Sequence, residues 1–204
     1  MNQTPQAPTF SATVSLGVMG KREVVLSPGQ IVFGKHVVAT HTIAEVRLRV
    51  TKNYVQGIPT STNYRLQITD ENRQRTTWSF GFTSMQKKDV KAYVTDVFNR
   101  LYDQLQREAG PQIVQRFIAA NPQPDAAFGP WRFWPEGIVA KEAFQTVTVP
   151  WGQLAGSAMN QGMIQLRYRD PVGKERHAGA MSMWTPNAIF LDQFVAGYHR
   201  HFMS

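Results

Sequence analysis

The side chains that could carry out acid–base or metal chemistry are few and poorly spaced for it. There are five histidines, His36, His41, His177, His199 and His201. His199 and His201 are two residues apart, so on a helix they point to different sides. A metal pair on one helix face needs four-residue spacing. His36 and His41 fall in strand or turn. Among the carboxylates, Asp89, Asp96 and Asp103 recur every seven residues among Lys87, Lys88, Lys91 and Arg100, the pattern of a solvated helix face. Neither a GxSxG elbow nor a GxxxxGK[ST] or GxGxxG phosphate loop occurs, and Gly152-Gln153-Leu154-Ala155-Gly156 lacks the lysine. With no cysteine in the chain, disulfides, thiolate metal sites and a cysteine nucleophile are excluded. The expectation is a protein that is not an enzyme and has no catalytic residue, metal or cofactor.

Groups suited to binding are easier to find. Arg47, Arg49, Lys52 and Arg65, with Arg73 and Arg75 nearby, alternate along strand-like segments. Pairing of those segments would put several guanidinium groups on one sheet face, where they could grip carboxylate or phosphate; otherwise they are an ordinary solvent face. Lys21, Arg22 and Lys35 are a second basic set. Trp131, Trp134 and Trp151 crowd one stretch, either as packing or as an aromatic docking site for a partner. The formal charge of +8, from 22 Lys+Arg against 14 Asp+Glu, favours acidic partners. Nucleic acid is not expected, because stacking needs exposed aromatic residues and Trp78 and Phe80 lie on the face that reads as internal.

The elements that must position these residues read as short strands leading to an amphipathic helix, twice. Strand patterns cover Phe10–Val18, Glu23–Leu26, Ile31–Val38, Ile43–Val50, Tyr64–Ile68 and Thr76–Phe82, with turns at Ser27-Pro28-Gly29 and Asp70-Glu71-Asn72. Gln56-Gly57-Ile58-Pro59 interrupts. Apolar spacing predicts a helix over Ser84–Arg107, with Thr83 and Gln86 as a capping box and Gly110-Pro111 as its stop. A short helix over Gln112–Ala120 and a linker, Asn121–Gly129, follow. Phe133-Trp134-Pro135-Glu136-Gly137-Ile138-Val139 then echoes Leu26-Ser27-Pro28-Gly29-Gln30-Ile31-Val32. Phe144–Val149 is a strand, Ile164–Leu166 matches Leu66–Ile68, and Asp170–Gly173 is a turn. The last helix spans Thr185–Phe202, with Thr185 as N-cap and Pro186 at its first position. The expected domains are a flexible N-terminus over 1–9, a first unit over 10–110, a helix and linker over 111–129, and a second unit over 130–204. A single mixed α+β domain is the alternative.

Within each unit a strand, a polar hairpin, an aromatic-rich last strand and a helix follow in order, over Thr42–Leu105 and Thr148–Tyr198. This order resembles the pleckstrin-homology-like (PH-like) superfold, and Thr148-Val149-Pro150-Trp151-Gly152-Gln153-Leu154-Ala155-Gly156 is similar to a segment of bacterial PH-like domains. The resemblance implies an α+β fold, with a strongly bent antiparallel sheet or barrel closed by a C-terminal helix in each unit. It also implies a binding or adaptor protein whose partner is a protein or peptide. Its lipid-binding members would place anionic head groups at Lys21, Arg22 and Lys35, making peripheral lipid binding the alternative. Glu23-Val24-Val25 stands where that pattern expects a second basic pair. An enzyme acting on a small molecule without a recognisable motif is the third reading. Met1–Pro8 reads as no secretory signal, and no apolar run is long enough to span a bilayer. A cytoplasmic protein is expected, with peripheral attachment at a membrane as the alternative.

Overall fold

The computed structural model describes residues 9–15, 20–141 and 145–204. It is an α+β protein whose antiparallel strands and helices fall into two compact units. One contains the chain up to Glu45 with Arg49–Ala109; the other contains Val46–Leu48 with Gly110–Ser204.

The first unit begins with a four-stranded meander: β1 (Phe10–Ser15), β2 (Lys21–Ser27), β3 (Gln30–Phe33) and β4 (His36–Ala39). A 3₁₀ turn, Thr40–Thr42, leads to a three-stranded meander of β5 (Ile43–Val55), β6 (Ile58–Asp70) and β7 (Arg75–Thr83). The second unit repeats this order. It has β8 (Ala126–Phe128), β9 (Trp131–Trp134), β10 (Gly137–Lys141) and β11 (Thr146–Pro150), then a 3₁₀ turn over Trp151–Gln153. Its second sheet comprises β12 (Leu154–Asn160), β13 (Met163–Arg169) and β14 (Glu175–Ser182). Among the described residues, none of the four sheets closes into a barrel. Parts of the Phe10–Val18 and Phe144–Val149 patterns lie outside the described residues.

Local chemistry explains the repetition. The β5–β6 and β12–β13 hairpins both turn on Gln-Gly, with φ of 49° and 80° at Gln56-Gly57 and 49° and 77° at Gln161-Gly162. Two residues at positive φ make the tight turn whose twist matches paired strands, and glycine adopts it without a Cβ penalty. The apparent interruption at Gln56 is therefore the apex of a hairpin. The β6–β7 and β13–β14 turns are also alike. Asp70 Oδ1 accepts the Gln74 N–H at 2.8 Å, and Asp170 Oδ1 accepts the Lys174 N–H at 2.9 Å. That Lys174 bond, followed by the Arg176 and Val172 contacts, holds the Asp170 carboxyl below its ordinary pKa.

The helix α1 spans Lys88–Gln104 and buries Val94, Val97, Leu101 and Gln104. Val90 and Tyr93 from the predicted stripe remain 36% and 43% exposed. The helix does not end at Gly110-Pro111. A π-helical turn, Leu105–Ala109, and α2 (Gly110–Ala120) follow directly. Pro111 lies inside this continuous helical stretch, and the wider π turn that precedes it makes room for its ring and its missing N–H. The expected capping box forms only in part. Gln86 Oε1 accepts the Thr83 N–H at 2.8 Å, but the helix starts after Lys87 with no side-chain cap. At the C-terminal end, Thr185-Pro186 does not start the helix. Asn187 is left-handed, a 3₁₀ turn covers Ala188–Phe190, and α3 spans Leu191–Met203.

Two polar side chains one turn apart anchor α1 to the β2–β3 turn. Gln104 Nε2 donates to Ser27 O at 2.6 Å, and Glu108 Oε2 accepts from the Gly29 N–H at 3.0 Å and from Thr40 Oγ1 at 2.9 Å. Replacing Glu108 with alanine would leave those donors unanswered. We expect Glu108→Ala to lower the unfolding free energy of the first unit by about 2 kcal/mol, measured by urea denaturation, because hydrogen bonds to a charged acceptor contribute about that much.

Candidate functional site

Helices α2 and α3 pack together in the second unit and meet closely at Gly197. A Cβ there would lie 2.7 Å from Ile118 Cδ1 and 2.9 Å from Val114 Cγ1. Alongside this crossing the helices leave an open groove of about 850 Å³. Val114, Ile118 and Ala119 line it from α2, and Ala196 and Gly197 from α3. Asp192, Arg200 and His201 give it charged or polar edges. The groove is therefore apolar at its base, with two basic-type side chains and one carboxylate on its rim.

Aromatic packing fixes the α3 wall from beneath. Tyr198 stacks on Phe133 at 4.4 Å between ring centroids, and Phe194 lies 4.1 Å from Phe128. Phe117 of α2 meets Phe194 edge-on at 5.0 Å. The Tyr198 hydroxyl donates to Asn121 O at 2.9 Å, and the His201 ring lies 2.9 Å from Pro122 O, which ties the end of α2 to α3. Burial raises the Tyr198 phenol pKa to about 12.

A second, more polar cavity of about 530 Å³ lies between Gly152–Ala155 and the side chains of Arg167, Arg169 and Glu175. Arg167 Nη1 pairs with Glu175 Oε1 at 3.1 Å, and Nη2 donates to Ala155 O at 3.4 Å. Much of its charge is therefore already answered. No three His, Asp or Glu residues are grouped to hold a metal ion among the described residues.

The residues singled out in the sequence are distributed among several places. Lys21 and Arg22 open β2, and Lys35 lies in the β3–β4 turn. The Gly34 N–H bonds Glu23 O at 2.7 Å, and a Cβ at Gly34 would lie 2.9 Å from Arg22 Cδ. These three cations thus share one end of the first sheet. Arg49 and Arg65 are exposed on strands whose buried positions include Leu48, Tyr64 and Leu66, whereas Arg47 is half-buried and grouped with the second unit. The tryptophans are not one surface. Trp131 is fully buried, with Nε1 donating to Ala178 O at 2.6 Å. Trp151 is also buried; its Nε1 donates to Pro135 O at 2.9 Å and its ring stacks on His199. Only Trp134 is exposed.

Sequence reading missed the groove because its α3 wall is Ala196 and Gly197, small residues outside the obvious apolar stripe. The pairs Ala119-Ala120 and Ala196-Gly197 were the available signal for a close helix crossing. No helix is long and apolar enough to cross a membrane among the described residues. No protein-family model matches the chain, and no curated protein matches it.

The buried tyrosine gives a pH test of this wall. Below pH 10 both folded and unfolded chains keep the phenol protonated. Between pH 10 and about 12 the unfolded chain ionises first, so the stabilisation from the neutral buried phenol is lost as pH rises. Absorbance titration should show one tyrosine with a midpoint near 12, and Tyr198→Phe should remove that step along with the pH dependence of the second unit's melting in this window.

Proposed function

We propose that this chain is a non-enzymatic binding protein that takes a short peptide segment of a partner protein in the groove between α2 and α3. The observation carrying this reading is the groove itself, with its apolar base between two helices and its exposed polar rim. Peptides commonly dock an apolar side into such a helix-lined channel. Arg200 and His201 favour a segment that carries a carboxylate beside its apolar anchor, since a guanidinium binds carboxylate through paired hydrogen bonds. The units themselves we assign to the PH-like class, supported by the repeated order of seven strands followed by a helix. Their open sheets make them loose members of it. The reading places the protein in the cytoplasm.

Selection from a random peptide library tests this. Sequences pairing an apolar residue with Asp or Glu should be enriched, and their affinity should fall at least tenfold in Ala196→Arg, which fills the groove from an exposed position. Arg200→Glu should weaken acidic peptides selectively. Enriched peptides that bind Ala196→Arg as well as they bind the unaltered chain would refute the assignment.

A further inference from the structure

The β5–β6 hairpin is longer than its counterpart in the second unit. Strands β5 and β6 have 13 residues each, against seven each in β12 and β13, although both hairpins turn on the same Gln-Gly pair. The last β7 partner on β6 is Ser61, opposite Thr83, so the hairpin runs past its sheet. Asn53 and Thr60 hold this projection together, with Asn53 Nδ2 donating to Ser61 Oγ at 2.7 Å and Thr60 Oγ1 to Asn53 O at 3.2 Å.

Its tip is apolar in the open. Tyr54, Val55 and Ile58 are 57%, 60% and 65% exposed. A two-residue turn places Val55 opposite Ile58 on one face, while Tyr54 occupies the other. The Ser84 N–H donates to Thr60 O at 2.7 Å, which brings Met85, 94% exposed, beside the hairpin's root. The surroundings are cationic. No acidic residue occurs between Arg49 and Thr69, and Lys52 lies on the hairpin. Lys87, Lys88 and Lys91 stand beside Met85, with Lys91 Nζ donating to Ser84 O at 2.8 Å and Asp89 the one carboxylate among them.

We infer that this hairpin and Met85 form a wedge that enters the surface of an anionic lipid bilayer, with the lysines at the head groups. An apolar tip exposed on both faces suits insertion into a fluid medium better than apposition to a flat protein surface. The collar of cations matches the negative potential of an anionic leaflet. This site lies in the first unit and does not rest on the peptide groove.

Vesicle flotation tests the inference with the full chain. It should float with phosphatidylserine-containing vesicles, much less with neutral phosphatidylcholine, and less as salt screens the lysines. Tyr54→Ser/Ile58→Ser should reduce binding at least tenfold with an unchanged melting temperature, because both side chains are exposed. Lys87→Gln/Lys88→Gln should reduce it about thirtyfold at low salt, in line with the attraction per surface lysine. Four results would overturn the inference: no flotation on anionic vesicles at low salt; flotation that survives Tyr54→Ser/Ile58→Ser; loss with Lys21→Ala/Arg22→Ala instead; or a protein partner lost with the tip substitutions while vesicles never bind.

Discussion

The first unit depends on how its helix is held against a turn. The β2–β3 turn presents the carbonyls of Ser27 and Gln30 and the N–H of Gly29 to the helix. Gln104 and Glu108 answer these groups from one helical turn. Gln104 is 3% exposed, so an unmet amide there would be costly. Satisfying the turn fixes the helix along its axis. Phe98 is then brought onto Tyr64 with centroids 4.3 Å apart, and Tyr93 is placed so that its hydroxyl accepts the Thr13 N–H at 2.8 Å. One helix end is set by polar chemistry, and stacking follows from it.

The second unit meets the same need with aromatic surface. Its helix is fixed by Tyr198 on Phe133 and Phe194 on Phe128, and Trp131 spends its one donor on Ala178 O. Large rings buried on one side leave the adjoining face of α3 free to be small. That freedom admits α2 at Gly197 and opens the groove beside the crossing. The Phe133 and Tyr198 rings therefore shape a surface they do not touch.

Strand patterns and turns were legible because alternation and turn chemistry are local. Asp70 and Asp170 could be read as turn residues from their neighbours alone, and both accept the bonds such turns require. Helix ends were less legible. Gly110-Pro111 carries a stop signal, yet a π turn accommodates the ring and helical structure continues. Thr185-Pro186 carries a start signal, yet Asn187 diverts the backbone first. Buried polar residues were hidden for a different reason. Gln104 stands at a core position of the Val97–Leu101 stripe, and its partners are more than seventy residues away in sequence. Trp131 shows the converse: tryptophan clustering signals partner surfaces and cores alike, and only burial distinguishes them.

The repeated order of elements makes each unit a control for the other. A feature present in both is what the framework requires: the Gln-Gly hairpins, the Asp-anchored turns, and a 3₁₀ turn before the second sheet. A feature present in one alone needs another reason. The second unit closes its hairpin with seven-residue strands, so nothing in the framework demands thirteen in the first. Among the described residues, the first unit has no helix in the position that α2 takes against α3, so the framework does not demand the groove either. Exposed apolar side chains on a hairpin carry a solubility cost. A groove between helices forgoes packing that larger side chains would supply. Both departures work against stability or solubility, and both are confined to where the units differ, which is the reason the two proposed binding surfaces are sought there and not in the shared frame.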